Sequence, residues 1–178
     1  MINDWRNIIL IGMPGAGKST VGVILAKSLT RPYLDSDILI QLVEKRSLQD
    51  IIDSQGHMQL RQIEERVLLD ISCDNHIIAT GGSAAYSDKA MKHLQENGII
   101  VFLDATLDTL KKRINNYETR GLAKRPEQSF TELFEERSAL YHKYADIIVR
   151  CDQISQDEVV ELVSDQIHQF LLYEQSTK

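Results

Sequence analysis

This sequence predicts an α/β domain with a parallel sheet covered on both faces, on three observations. Short β-branched apolar runs alternate with segments of helical period along the whole chain, the pattern of strand–helix–strand crossovers. The runs are short, apolar and closed by turn residues, as strands buried on both faces are. Glycines and carboxylates cluster just after the strand candidates, at the ends where open parallel sheets bind ligands.

Asn7–Ile11 (NIILI), closed by Gly12, is the first strand. From Lys18 the residues Val21, Ile24, Leu25 and Leu29 recur at helical spacing until Pro32, and PYLD gives a second short strand. Asp37–Lys45 and Ser47–Gln55 read as two short helices. His57–Ser72 reads as a longer one, with Leu60, Ile63, Val67, Leu68 and Ile71 facing inward. His76–Thr80 is the third strand, stopped by Gly81 and Gly82. Ser87–Asn97 is a helix with Gly98 as its C-terminal stop. Ile99–Asp104 is the fourth strand and leads into a helix to about Ile114. Asn115–Ser129 has no apolar period, carries Arg120, Gly121, Lys124, Arg125 and Pro126, and has the length of a lid rather than of a connection. Ser129 with Glu132 makes a capping box for a helix to about Ala145. DIIVR is the fifth strand, and Ser155 with Glu158 caps a last helix to about Tyr173. With no repeat or low-complexity tract, residues 1–178 read as a single domain.

Composition narrows the partners. Apolar residues make up 43% and charged residues 26% of the 178, enough for a substantial core. A net charge of −6 is unfavourable for nonspecific nucleic-acid binding, which needs a basic face. No apolar run approaches the roughly 20 residues of a membrane span, and the N-terminus has no cleavage-site pattern. Cys73 and Cys151 lack zinc or redox-motif spacing and read as small, partly buried apolar residues. The expectation is a cytoplasmic protein that binds neither nucleic acid nor membrane; a monomer is expected without any residue pattern that fixes it.

Two motifs carry chemistry. Gly12, Gly17, Lys18 and Ser19 satisfy G-x-x-x-x-G-K-[ST] between a strand and a helix. Gly12, Gly15, Ala16, Gly17 and Thr20 would form the turn whose N–H groups hold phosphates, with Lys18 reaching the terminal phosphates and Ser19 offering a hydroxyl to Mg²⁺. Asp35 and Asp37, two apart at a strand end, would point to one side. One could hold Mg²⁺ and the other accept a proton from a hydroxyl substrate, or either could simply cap the next helix. Arg61 and Arg137 could each be exposed partners of nearby glutamates, and Arg113 and Arg120 flank the lid. Gly81 and Gly82 allow a close backbone approach to a ligand, or a tight turn.

Taken together, GMPGAGKST, YLDSD, GHMQLRQIEE, ATGGS, TRGLAKRP and RSALYHKYAD resemble the shikimate kinase family, from about Asn7 to Arg150. The resemblance implies a three-layer P-loop kinase fold with a five-stranded parallel sheet in the order 2-3-1-4-5 and a lid at about 115–129. It implies ATP and Mg²⁺, and transfer of the γ-phosphate to the 3-hydroxyl of shikimate, bound over helices at about 37–72. By position, Lys18, Asp37 and Arg120 match the catalytic residues. Ser19 and Asp35 match the metal-associated pair, and Arg113 matches the arginine against adenine. Asp37, Arg61, Gly81, Gly82 and Arg137 match the substrate contacts. The chain departs from the family pattern at Ser83, where a third glycine is usual, and in the lid, where RGLA replaces arginine, proline and two leucines. A kinase of another small hydroxy acid, such as gluconate, and a non-catalytic nucleotide-binding module are the alternatives.

Overall fold

The structure, a computed structural model, describes residues 4–114 and 122–177. Five strands form one sheet: β1 (Asn7–Ile11), β2 (Tyr33–Asp35), β3 (Ile77–Ala79), β4 (Gly98–Asp104) and β5 (Ile147–Arg150). They are all parallel, in the order β2-β3-β1-β4-β5, as the resemblance implied. Ile8 of β1 pairs with Ile77 on one side and Ile99 on the other. The chain builds β2 and β3 on one flank of β1 and adds β4 and β5 on the other. Strand order therefore reverses beside β1, where open sheets form their ligand crevice.

Among the described residues, eight α-helices accompany the strands: α1 (Lys18–Leu29), α2 (Ser36–Glu44), α3 (Leu48–Gln55), α4 (His57–Leu69), α5 (Asp88–Glu96), α6 (Leu107–Arg113), α7 (Phe130–Tyr144) and α8 (Gln156–Ser176). Successive side chains of β1 point to opposite faces. Leu10 reaches toward Gly22 of α1, whereas Ile9 reaches past Gly98 toward Leu94 of α5. Every residue of β1 is buried, so each face of the strand feeds one side of the main core. A second, smaller core lies away from the sheet, where Ile40, Ile51, Leu60, Ile63 and Val67 knit α2, α3 and α4 together. Ala123 of the loop before α7 packs into it.

Three local differences from the sequence reading have physical reasons. β2 stops at Asp35, because the Asp35 carboxylate caps α2, so Asp37 lies in the first helical turn rather than on extended chain. Gly98 opens β4 rather than ending the preceding helix. A Cβ there would collide with Ile9 and lie 2.5 Å from the Leu94 carbonyl, so close packing selects the glycine. Ser47 and Asp50 form a capping box that starts α3, with aspartate in the role usually taken by glutamate. The two predicted boxes, Ser129–Glu132 and Ser155–Glu158, are formed. Arg120 and Gly121 lie outside the described residues; Leu122–Ser129 of the lid segment lies within them.

Candidate active site

The loop after β1 is shaped by glycines, Gly12 at φ +144° where a Cβ would meet the Leu103 carbonyl, and two more within the turn. Gly15 and Gly17 have φ of +83° and +105°, a region open mainly to glycine. A Cβ at Gly15 would come within 2.6 Å of Ile114, and one at Gly17 within 2.8 Å of the Gln156 amide oxygen. Lys18 then opens α1 and folds back, its Nζ donating to the carbonyls of Gly12 (2.8 Å) and Met13 (3.1 Å). Burial lowers its pKa to about 8, with the charge of Asp37 acting in the opposite direction. Gly15, Gly17, Lys18, Ser19 and Thr20 line a cavity of about 350 Å³. Gly12 and Ala16 support the loop from behind. The Gly12 carbonyl holds Lys18, and the buried Ala16 offers its carbonyl to Arg113 at 3.5 Å. Arg113 also donates to the Cys151 carbonyl at 2.8 Å, which fixes its guanidinium along the cavity edge.

Asp35 caps the next helix with one oxygen and keeps the other beside Ser19. Its Oδ1 caps α2 by accepting from the N–H groups of Asp37 (3.0 Å) and Ile38 (3.4 Å). Its Oδ2 accepts from the Ser19 hydroxyl at 2.8 Å and the Tyr33 hydroxyl at 3.0 Å. Ser19 and Asp35 thus present two hard oxygen donors side by side. Such a set suits Mg²⁺, which takes few protein ligands and completes its shell with water and phosphate. Asp37 lines the cavity instead. Burial raises its pKa, opposed by the Lys18 ammonium.

The far wall of the cavity is built by α4, the loop after β3 and α7. Gly81 follows β3, its N–H donating to the Ser36 hydroxyl at 2.9 Å, and Tyr141 donates to the Gly82 carbonyl at 2.6 Å. Arg137 is only 1% exposed, although the sequence allowed an exposed pairing with Glu135 or Glu136. Its guanidinium donates to the Ala123 carbonyl at 2.9 Å, and Arg61 donates to the same oxygen at 3.1 Å. Arg61 lines an adjoining cavity and stacks on the Tyr86 ring, 3.5 Å from its centroid. The two arginines expected to grip a carboxylate therefore already converge on one oxygen. Two cations among the described residues of the lid segment are used locally: Lys124 donates to the Gln128 carbonyl at 3.0 Å and Arg125 pairs with Glu136 at 3.2 Å.

A Cβ at Gly81 would press on Glu64 and come within 2.6 Å of Asp37 Oδ1. Gly81→Ala is therefore expected to raise KM for the acceptor about tenfold or more, the scale of a displaced charged hydrogen bond, with KM for ATP little changed. Steady-state kinetics with each substrate varied in turn checks this.

Two residues of this wall escaped the sequence reading. Glu64 is 3% exposed and lines the cavity, and Tyr86 supplies the stacking face for Arg61. Glu64 had a signal. It falls on the inward stripe of α4 with Leu60, Ile63, Val67 and Leu68, where a charged residue needs a reason. Tyr86 had none, because it belongs to a short 3₁₀ turn (Ala84–Tyr86) without periodicity.

A glycine-rich loop opening a helix beside the strand-order reversal, with a buried lysine and a serine–aspartate pair, defines a P-loop phosphotransferase. A sequence model described as shikimate kinase matches residues 14–168. The shikimate kinase of Sulfurihydrogenibium sp. (strain YO3AOP1) is 34% identical over 163 residues, 91% of this chain and 98% of that protein. That of Rippkaea orientalis is 40% identical over 150 residues, 83% of this chain and 79% of that protein. The solved shikimate kinase of Acinetobacter baumannii, in complex with shikimate, superposes with a TM-score of 0.85 at 30% identity, covering 93% of this chain and 94% of that one. This chain belongs to the shikimate kinase family and is a kinase.

Proposed function

We propose that this chain transfers the γ-phosphoryl group of ATP to the 3-hydroxyl of shikimate, giving shikimate 3-phosphate and ADP on the route to aromatic amino acids. The observation that carries the reading is the cavity in which a phosphate loop, Asp37 and the buried Arg137 meet. The family match adds the acceptor. Phosphoryl transfer is chiefly positioning and charge stabilisation. The N–H groups of the Gly12–Thr20 loop and the N-terminus of α1 receive phosphate oxygens, and Lys18 swings from the Gly12 and Met13 carbonyls to the terminal phosphates. Ser19 and Asp35 would hold Mg²⁺, which when bound would neutralise phosphate charge. Arg113 borders the nucleotide base. Asp37 holds the acceptor hydroxyl and takes its proton. Arg61 and Arg137 exchange the Ala123 carbonyl for the acceptor carboxylate, a natural partner for paired guanidinium groups, while Gly81 and Gly82 let the acceptor approach the backbone. Arg120, outside the described residues, would complete the charge around the transferring group.

No helix among the described residues is long and apolar enough to cross a membrane. The acidic chain is assigned to the cytoplasm as a monomer that engages only small anions. Mg·ATP with shikimate should give ADP release at the ordinary enzymatic scale of about 1–10³ per second. Turnover with another hydroxy acid such as gluconate, but not with shikimate, would replace the acceptor. ATP binding without turnover on any acid would leave a nucleotide-binding module.

A further inference from the structure

Ser83 and Glu64 form a pair on the acceptor wall that none of the roles above requires. Ser83 follows Gly81 and Gly82 and is buried, and its hydroxyl donates to Glu64 Oε2. Among the described residues Glu64 Oε1 has no hydrogen-bond partner, although it is buried. That oxygen is directed at Gly81, where Asp37 Oδ1 also converges. A buried, unpaired carboxylate oxygen is costly, and its presence on a cavity wall marks a place where a donor is to be received.

We propose that Ser83 is a positioning residue of the acceptor pocket, whose hydroxyl pins Glu64 Oε2 so that Oε1 stands beside Asp37 to receive an acceptor hydroxyl. The proposal rests on the acceptor being a hydroxy acid such as shikimate, as argued above. Without the serine hydroxyl, the carboxyl could rotate within the space shared by the main cavity and the adjoining one, since Glu64 and Ser83 line both. The bond also acts on charge. Burial and the neighbouring Asp37 raise the pKa of Glu64 to about 7, while Ser83, Arg137 and Lys18 lower it. Those are the groups that face it: Lys18 from α1, Asp37 from α2, Arg137 and Tyr141 from α7, and Ser83 from the loop after β3. The ionised form is the one that accepts a hydroxyl, so acceptor binding weakens as pH falls through about 7. Deleting the serine hydroxyl removes a lowering influence and moves that acidic limb upward.

The test compares wild type, Ser83→Ala, Ser83→Gly, Glu64→Gln and the double variant Ser83→Ala/Glu64→Gln. It uses kcat/KM for shikimate against pH at saturating Mg·ATP, and a ¹³C-carboxyl NMR titration of the ligand-free protein with Glu64→Gln to assign the Glu64 signal. Both serine variants are expected to raise KM for shikimate about tenfold, the scale of one hydrogen bond to a charged group, with KM for ATP unchanged. The acidic limb and the Glu64 titration should both move up by about one unit. In the Glu64→Gln background, Ser83→Ala should move neither KM for shikimate nor the acidic limb. A pH-independent rise in KM with an unmoved Glu64 signal would make Ser83 a packing residue and overturn the proposal, as would unchanged kinetics. If wild type does not turn over shikimate, the acceptor reading falls, and the Glu64 titration still decides whether Ser83 governs that carboxylate.

Discussion

Asp37→Asn is expected to lower kcat with shikimate by about 10²–10⁴-fold, the contribution of a positioned general base. Asparagine keeps the shape of the side chain and its place on the cavity wall but cannot take a proton. The helix that carries it should be undisturbed, because the α2 cap is made by Asp35 Oδ1 and needs only the backbone N–H of residue 37. Thermal stability and KM for ATP should therefore stay near wild type, whereas mutating Asp35 would disturb the cap and the Ser19 contact together. Burial raises the pKa of Asp37 and Lys18 opposes the rise, which suits a carboxylate that must be ionised at rest and able to accept a proton during transfer. Rapid-quench measurement of the phosphoryl-transfer step, alongside steady-state kcat, distinguishes slower chemistry from slower product release. A transfer step as fast as wild type would remove Asp37 from the role of base.

The features legible in the sequence were those set by short-range rules. The β-branched runs gave the strands, the capping boxes at Ser129 and Ser155 fixed two helix starts, and the phosphate loop lies where its glycines placed it. The strand order came only with the family resemblance, because pairing between distant segments leaves no local periodicity. Asp35 and Asp37 were found for a reason that proved incomplete. They do not share the side of a strand, since the chain turns into a helix between them; one caps that helix and the other enters the cavity. Arg61 and Arg137 read equally well as surface ion pairs, because burial depends on what packs over a helix and not on the spacing within it. In the fold Glu65 is taken by the Ser87 hydroxyl (2.5 Å) and Glu136 by Tyr86, Gln128 and Arg125, so Glu136 meets Arg61 only as a nearby charge. The shared Ala123 carbonyl had no sequence signature at all.

Arg137→Met should be the most damaging change on the acceptor side, lowering kcat/KM for shikimate by about 10²–10³-fold, within the 2–5 kcal/mol typical of losing one partner of a buried charge pair. Methionine fills much of the arginine volume, so α7 should keep its place in the core while the guanidinium contact beside Gly82 is lost. Arg61→Met should cost less, because Arg61 is half-buried beside the Tyr86 ring, whereas Arg137 is enclosed and contacts the main cavity directly. The loss at Arg137 should also depend on pH. Arg137 is one of the cations that lower the pKa of Glu64, against burial and the charge of Asp37. With it gone, one of the charges that lower this pKa is lost, and the Glu64 pKa moves above about 7. At high pH, where Glu64 is ionised in both proteins, the deficit reflects only the lost grip on the acceptor carboxylate. As pH falls toward neutrality, Glu64 becomes protonated first in the variant, and the ratio of wild-type to variant kcat/KM should widen. If that ratio is constant across pH, Arg137 acts on the acceptor alone and the charges of the pocket are not coupled through Glu64.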